Sequence, residues 1–313
     1  MSEQSMAFVF PGQGSQSVGM LGELAKDFPS ILDTFGEASD RLSMDLWDLA
    51  QNGPEQALNR TENTQPAMLV AGIATWRVWR ENGGCLPAMM AGHSLGEYTA
   101  LVASGAMDLA DGAWLVAERG RLMQQAAPPG SGAMAALIGL DPERVNAICD
   151  LAAEQEIVSP ANLNGPSQTV IAGSVDAVER AVRMAKEAGA KMAAILPVSV
   201  PCHCDLVKPA AEELRSRLAQ VALRPPQVPV VHNADIEVYS DPDDIRESLV
   251  RQLYQPVRWV ETIEYLTDKG MTRIVECGPG KVLAGLTRRI NRKIEQAALI
   301  DTPAIHAQLS AAE

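Results

Sequence analysis

The stretch "PAMMAGHSLGEYTALVASG" sets a short apolar run, a serine between two glycines, and a helix-forming apolar run in direct succession. The pattern G-x-S-x-G can place a nucleophile on a sharp turn from strand to helix. Alone it is a weak signal, because glycine and serine share many turns. The strand before it and the helix after it give Ser94 its weight. On such a turn the Ser94 hydroxyl stands exposed, and the N–H of Leu95, which follows it, can face a developing oxyanion. What takes an acyl group from Ser94 afterwards, water or a second substrate, has to be read from residues far from the turn.

The rest of the chain supplies the partners such a turn needs. "MAFVF" reads as a buried strand ending at Pro11, followed by a glycine-rich loop and a largely helical segment from Leu21 to Leu49. "QPAMLVAGIATWRVWRENGG" reads as a helix with Pro66 near its start, and a further helix spans Asp111 to Ala126. Short apolar strands alternating with helices predict a parallel α/β sheet. After "APPGSG" the order changes to βαββαβ, that of a ferredoxin-like lobe. The expected fold class is therefore α/β, a hydrolase-like parallel-sheet core with an inserted ferredoxin-like small subdomain. The division expected is 1–128 and 199–313 for the large subdomain and 129–198 for the small one. "PVPVVHNAD" and "RIVECGPG" resemble two later strands of the core.

Charge and cysteine content narrow the partners. The 313 residues carry 26 basic and 39 acidic side chains, a net charge of −13, which argues against a nucleic-acid binder. Five cysteines, Cys85, Cys149, Cys202, Cys204 and Cys277, suggest no disulfide framework. No apolar run is long enough for a membrane helix and no secretory signal is visible, so the expectation is a soluble, cytoplasmic protein with no membrane partner.

A serine nucleophile needs a base, and the chain has four histidines. His93 adjoins Ser94 and should pack or hydrogen-bond beneath the turn. His232 lies within a strand-like run and reads as structural, while His306 sits in an alanine-rich tail expected to be mobile. His203, in "VSVPCHCD", follows a strand-like run where the two lobes meet; such junctions form clefts, so His203 is the expected base. Cys202 and Cys204 flank it, but alternate residues of an extended segment point the same way and the histidine between them points oppositely. With no second Cys/His pair nearby, they read as packing residues rather than metal ligands, and no metal is expected. Asp205 is too close along the chain to orient the ring; a backbone or side-chain carbonyl could accept the ring N–H instead, and the residues alone do not choose.

Two further features bear on the acyl group. Arg119 and Arg121 share a helix, and Arg119 sits in an apolar stripe with Trp114, Leu115 and Leu122, so one of the pair can point inward. A buried guanidinium matches a carboxylate in a bidentate pair, and one facing the cleft would call for an acyl group with a free carboxylate. "FPGQGSQ" has neither dinucleotide nor Walker spacing; its place after the first strand suits a second oxyanion N–H, that of Gln13.

Taken together, "FPGQGSQ", "TQPA", "GHSLGEY", "ERGRLMQ", "VSVPCHC", "VRQLYQPVRW" and "GPGKVLAGL" resemble the malonyl-CoA:acyl carrier protein transacylases of type II fatty acid synthesis, over roughly residues 6 to 300. The resemblance implies that Ser94 takes the malonyl group, that His203 is its base, and that Arg119 pairs with the malonyl carboxylate. It implies an oxyanion hole from the N–H groups of Gln13 and Leu95, and a histidine oriented by the main-chain carbonyl of Gln252, with no triad aspartate and no cofactor. Cys202 departs from the serine common in relatives and borders the acyl pocket. The implied partners are malonyl-CoA and acyl carrier protein, met by a monomer. Lys281, Arg288, Arg289, Arg292 and Lys293 form a local basic cluster that could dock an acidic carrier or be a solvated helix face. The rival readings are a serine hydrolase or thioesterase and a transacylase for another acyl-CoA such as methylmalonyl-CoA.

Overall fold

The computed structural model describes residues 6–128, 130–198 and 200–311. Pro129, the expected first residue of the small subdomain, and Ser199, where the large one is expected to resume, lie outside the described residues. Nine strands are described: β1 (Met6–Phe10), β2 (Met89–Gly92), β3 (Gly132–Ile138), β4 (Val158–Gly165), β5 (Gln168–Ser174), β6 (Met192–Ile195), β7 (Val230–Val231), β8 (Arg273–Glu276) and β9 (Glu295–Ala298). Five of them make a parallel sheet in the order β7-β2-β1-β8-β9.

β1 is central and buried on both faces. Met6, Phe8 and Phe10 point into one apolar cluster with Trp76 and Trp79, while Ala7 and Val9 point into another around Trp259. That two-residue alternation with no polar face is what a parallel strand covered by helices on both sides requires. β3 to β6 form a separate antiparallel sheet in the order β4-β5-β3-β6, covered by the helices Pro142–Ala153 and Val175–Glu187. The βαββαβ order and this strand order are those of a ferredoxin-like unit. The fold class read from sequence is the one observed.

Several boundaries differ from expectation. The segment Leu21 to Leu49 is largely helical as expected, in three helices, Leu24–Asp27, Ser30–Leu42 and Leu46–Asn52. Pro29 precedes the second, Ser43 ends it at φ 53°, and the Asp45 side chain caps the third by accepting from Asp48 N. The helix containing Pro66 starts earlier and spans Thr61–Glu81, so the proline lies inside it. β9 was not foreseen, because "EQAA" has neither β-branched residues nor alternation. The expected mobile tail around His306 is a helix, Thr302–Ser310, capped by Asp301, with Ile305 fully buried and the His306 ring edge-on to Phe28.

The two sheets are tied beside the turn after β2. Val257 N donates to Ala161 O at 2.8 Å and Leu163 N to Val257 O at 2.9 Å, which sets β4 against the core. His93 Nε2 and Asn164 Oδ1 are 2.8 Å apart across the same junction.

Candidate active site

Ser94 occupies the turn between β2 and the helix Leu95–Ala103, at φ 53° and ψ −109°. Positive φ strains a non-glycine residue, and such strain persists only where the surroundings hold it. Here both backbone groups of Ser94 are held by side chains. Its N–H donates to Asn233 Oδ1 at 2.7 Å, and its carbonyl accepts from Gln252 Nε2 at 2.8 Å. Asn233 in turn donates through Nδ2 to Gly92 O at 2.7 Å and through its backbone N–H to Glu97 Oε2 at 2.9 Å. Glu97, fully buried, also meets His232 Nδ1 at 2.8 Å. The chain here folds tightly because Gly92 and Gly96 permit it. A Cβ on Gly92 would stand 1.9 Å from the Gly96 carbonyl carbon, and one on Gly96 would stand 2.0 Å from Phe10 O.

The structure brings Ser94, His203, Arg119 and Gln252 together. Ser94 Oγ and His203 Nε2 are 2.7 Å apart. His203 Nδ1 donates to two main-chain carbonyls, Gln252 O at 2.9 Å and Gln255 O at 3.1 Å. Both partners only accept, so the ring proton sits on Nδ1 and the Nε2 lone pair faces the serine hydroxyl. Burial, reinforced by the positive charge of Arg119, holds the imidazole down at about 3. It is therefore neutral at neutral pH, the state a general base needs.

Arg119 is buried at 1% exposure and lies 3.3 Å by Nη2 from Ser94 Oγ. Nη2 also donates to Gln252 Oε1 at 3.0 Å and Nη1 to Gln65 Oε1 at 2.8 Å, while the Tyr98 ring lies against its face. Its Nε has no hydrogen-bond partner, and no carboxylate pairs with it among the described residues. Arg121, on the same helix, points away and pairs with Glu118. The expectation that one of the two arginines turns inward is met by Arg119.

A cleft of about 150 Å³ opens at Ser94. Gln13, Thr61, His93 and His203 line one side of it, and Met134, Asn162, Val170, Leu196 and Val198 line the other. Gln13 lies in the loop after β1, which approaches the turn closely: a Cβ on Gly12 would stand 2.5 Å from His93 O. Leu95 opens its helix, so its N–H is among those with no intrahelical acceptor, at the positive end of the helix dipole.

The alternation argument for the flanking cysteines does not hold. His203 has φ 59°, which breaks the extended run. Cys204 packs in a small apolar cluster as expected, but Cys202 lines the same cleft as His203. Burial pushes its thiol up to about 11, so it stays protonated. Among the described residues no group of three or more His, Cys, Asp or Glu side chains could hold a metal ion. The residues that reading the sequence missed are Gln65, Glu97 and Asn233. Each lies inside a string that stood out, "TQPA", "GHSLGEY" and "PVVHNAD", yet a role for each needs partners far along the chain.

Comparison with known proteins identifies the family. The model of the acyl transferase domain family matches residues 7–305. The malonyl CoA-acyl carrier protein transacylase of Escherichia coli strain K12 is 54% identical over 303 residues, covering 97% of this chain and 98% of that protein. The solved structure of the malonyl CoA-acyl carrier protein transacylase from Coxiella burnetii aligns with a TM-score of 0.97 at 49% identity, covering 98% of this chain and 97% of that one. A malonyl-transacylase solved in complex with its type II PKS acyl-carrier protein aligns with a TM-score of 0.97 at 52% identity, covering 98% of this chain and 100% of that one. The chain belongs to the acyl transferase domain family, among the malonyl CoA-acyl carrier protein transacylases.

Proposed function

We propose that the chain moves a malonyl group from malonyl-CoA to the phosphopantetheine thiol of acyl carrier protein through a malonyl ester of Ser94, in fatty acid biosynthesis. The observation that carries this reading is one oxygen with two neighbours. Ser94 Oγ has the His203 imidazole at 2.7 Å and the Arg119 guanidinium at 3.3 Å. In the first half-reaction Nε2 of His203 takes the hydroxyl proton as Oγ attacks the thioester carbonyl. The tetrahedral oxyanion faces the N–H groups of Gln13 and Leu95, and coenzyme A leaves as thiol with the proton from His203. The carrier thiol then gives its proton to His203 and attacks the ester, and Ser94 leaves with that proton. Each tetrahedral species uses the same two donors; losing one such donor costs ~100–1000-fold in rate.

Arg119 reads the free carboxylate. Its unpartnered Nε and the N–H of Nη2 aimed at Ser94 make an edge that fits a carboxylate side-on. An acyl group without that carboxylate leaves the edge unpaired. Gln252 serves twice, through its carbonyl to His203 and through its side chain to Arg119. Residues 1–128 and 199–313 form the subdomain carrying these groups, and residues 129–198 the subdomain that walls the cleft with Met134, Asn162 and Val170. All the reacting groups come from one chain, which suits a monomer, and five cysteines that form no disulfide suit a cytoplasmic location. Among the described residues no helix is long and apolar enough to cross a membrane. The carrier docks near Arg288, Arg289, Arg292 and Lys293, which are exposed beside the helix Val282–Ile290.

Labelled malonyl-CoA mixed with the enzyme and no acceptor tests the reading. A lasting adduct on Ser94, released by holo carrier protein and absent in Ser94→Ala, is expected. Rapid appearance of free malonate would instead make the chain a hydrolase.

A further inference from the structure

Four side chains join the buried guanidinium to the loop after β1. Arg119 Nη1 donates to Gln65 Oε1 at 2.8 Å, Gln65 Nε2 donates to Thr61 Oγ1 at 3.0 Å, and Thr61 Oγ1 donates to Gln13 Oε1 at 3.0 Å. The direction of the chain is forced at its buried end, and at Gln13 it follows from the side-chain oxygen facing Thr61. A guanidinium only donates, so Gln65 turns its carbonyl to Arg119 and its amide N–H to Thr61. Thr61 accepts there and keeps one proton, which goes to Gln13.

The two ends of this chain differ in support. Gln65 and Thr61 are buried, at 0% and 2% exposure. Thr61 opens its helix where the neighbouring helix Leu109–Ala126 crosses it closely: a Cβ on Gly120 would stand 2.8 Å from Thr61 O. Gln13 is exposed, on a loop with Gly12 before it and Gly14 at φ 102° after it. Gly12 is packed against His93 O, whereas Gly14, with no neighbour where a Cβ would stand and its N–H on Gln16 Oε1 at 2.7 Å, lets the backbone turn just after Gln13. The Thr61 hydroxyl is the only hydrogen bond described for the Gln13 side chain.

We propose that Thr61 is a positioning residue: its hydroxyl ties the Gln13 side chain to the Arg119 network and so holds the Gln13 N–H against the reacting carbonyl. This rests on the transacylase reading above, in which that N–H faces the oxyanion. It assigns work to the Gln13 side chain, which backbone donation alone does not require, and it sets the oxyanion loop on the same support as the carboxylate-reading arginine.

Gln13→Met keeps the backbone N–H and removes the acceptor from an exposed site, so folding is spared. Thr61→Val removes the hydroxyl at nearly the same size. Each should lower kcat for malonyl transfer about tenfold, less than outright loss of a donor because the N–H remains. KM for malonyl-CoA should stay within about twofold of the parent, and Thr61→Ser should recover most of the rate. The double variant should be no slower than Thr61→Val alone, since that change already breaks the bond to Gln13 and also takes the acceptor from Gln65 Nε2. Parental kcat in Gln13→Met overturns the proposal, as does a raised KM with unchanged kcat or multiplying effects in the double variant. Should Thr61→Val unfold, Gln13→Met reads the same bond. Ser94→Ala separates the two levels. If it remains active the transacylase reading fails; if it is dead while Gln13→Met turns over at the parental rate, only the role of Thr61 fails.

Discussion

His203 is an imidazole prevented from charging. Buried at 2% exposure and close to Arg119, it takes up a proton in the folded chain only near pH 3. In the unfolded chain it does so below about 6.5. Between those values the unfolded state binds more protons, so folding stability falls as pH drops from 6.5 toward 3. Urea midpoints measured across this window should fall less steeply in His203→Gln than in the parent; parallel profiles would show that the imidazole is not held neutral. If His203 is the base as proposed, the same depression keeps it available well below its ordinary range, so kcat/KM should show no acid limb near 6.5. What orients the ring is two carbonyls rather than a carboxylate. A neutral acceptor adds no negative charge to stabilise imidazolium, in keeping with a base that takes and returns its proton within each half-reaction.

The turn after β2 depends on the element before it and the element after it meeting without side chains. Gly96 lies against Phe10 O and Pro11 O, the end of the strand that leads into the Gln13 loop. Gly96→Ala should therefore push that loop away from Ser94. We expect a loss of about 1–3 kcal/mol of stability, the usual cost of overpacking, together with a loss of transfer activity larger than the stability change explains. Thermal unfolding and kcat measured on the same preparation check this; an alanine variant with parental Tm and rate would show that the contact relaxes freely. The strand, turn and helix were legible in "PAMMAGHSLGEYTALVASG" because local spacing specifies them. The split of Leu21 to Leu49 into three helices was less so, since a left-handed Ser43 and the Asp45 cap leave weak marks in an otherwise helix-forming segment.

In the whole molecule, the cleft exists because an antiparallel sheet is set against a parallel one beside Ser94, through the bonds of Val257 to β4 and of His93 to Asn164. The basic cluster lies along the same junction, where Arg289 Nη1 reaches Gln168 Oε1 at 2.6 Å. None of Arg288, Arg289, Arg292 and Lys293 forms an ion pair among the described residues, so their charge is open to an acidic carrier on a chain of net charge −13. Reversing Arg288 and Arg289 to glutamate should raise KM for carrier protein about tenfold and leave KM for malonyl-CoA unchanged, since charges at a rim act mainly on encounter. Equal effects on both substrates, or none, would point to a solvated helix face instead. The amino-acid sequence by itself determined the α/β class and the strand–turn–helix around Ser94, and it singled out Ser94 and His203, with Arg119 chosen over Arg121 by the resemblance, because strand and helix periodicity and the run of motifs are local. Only the tertiary structure decided that Gln65, Thr61, Glu97 and Asn233 matter. Their roles are hydrogen bonds across up to 155 positions of chain, as from Gln252 to Glu97, and direction and distance of that kind exist only once the core has packed.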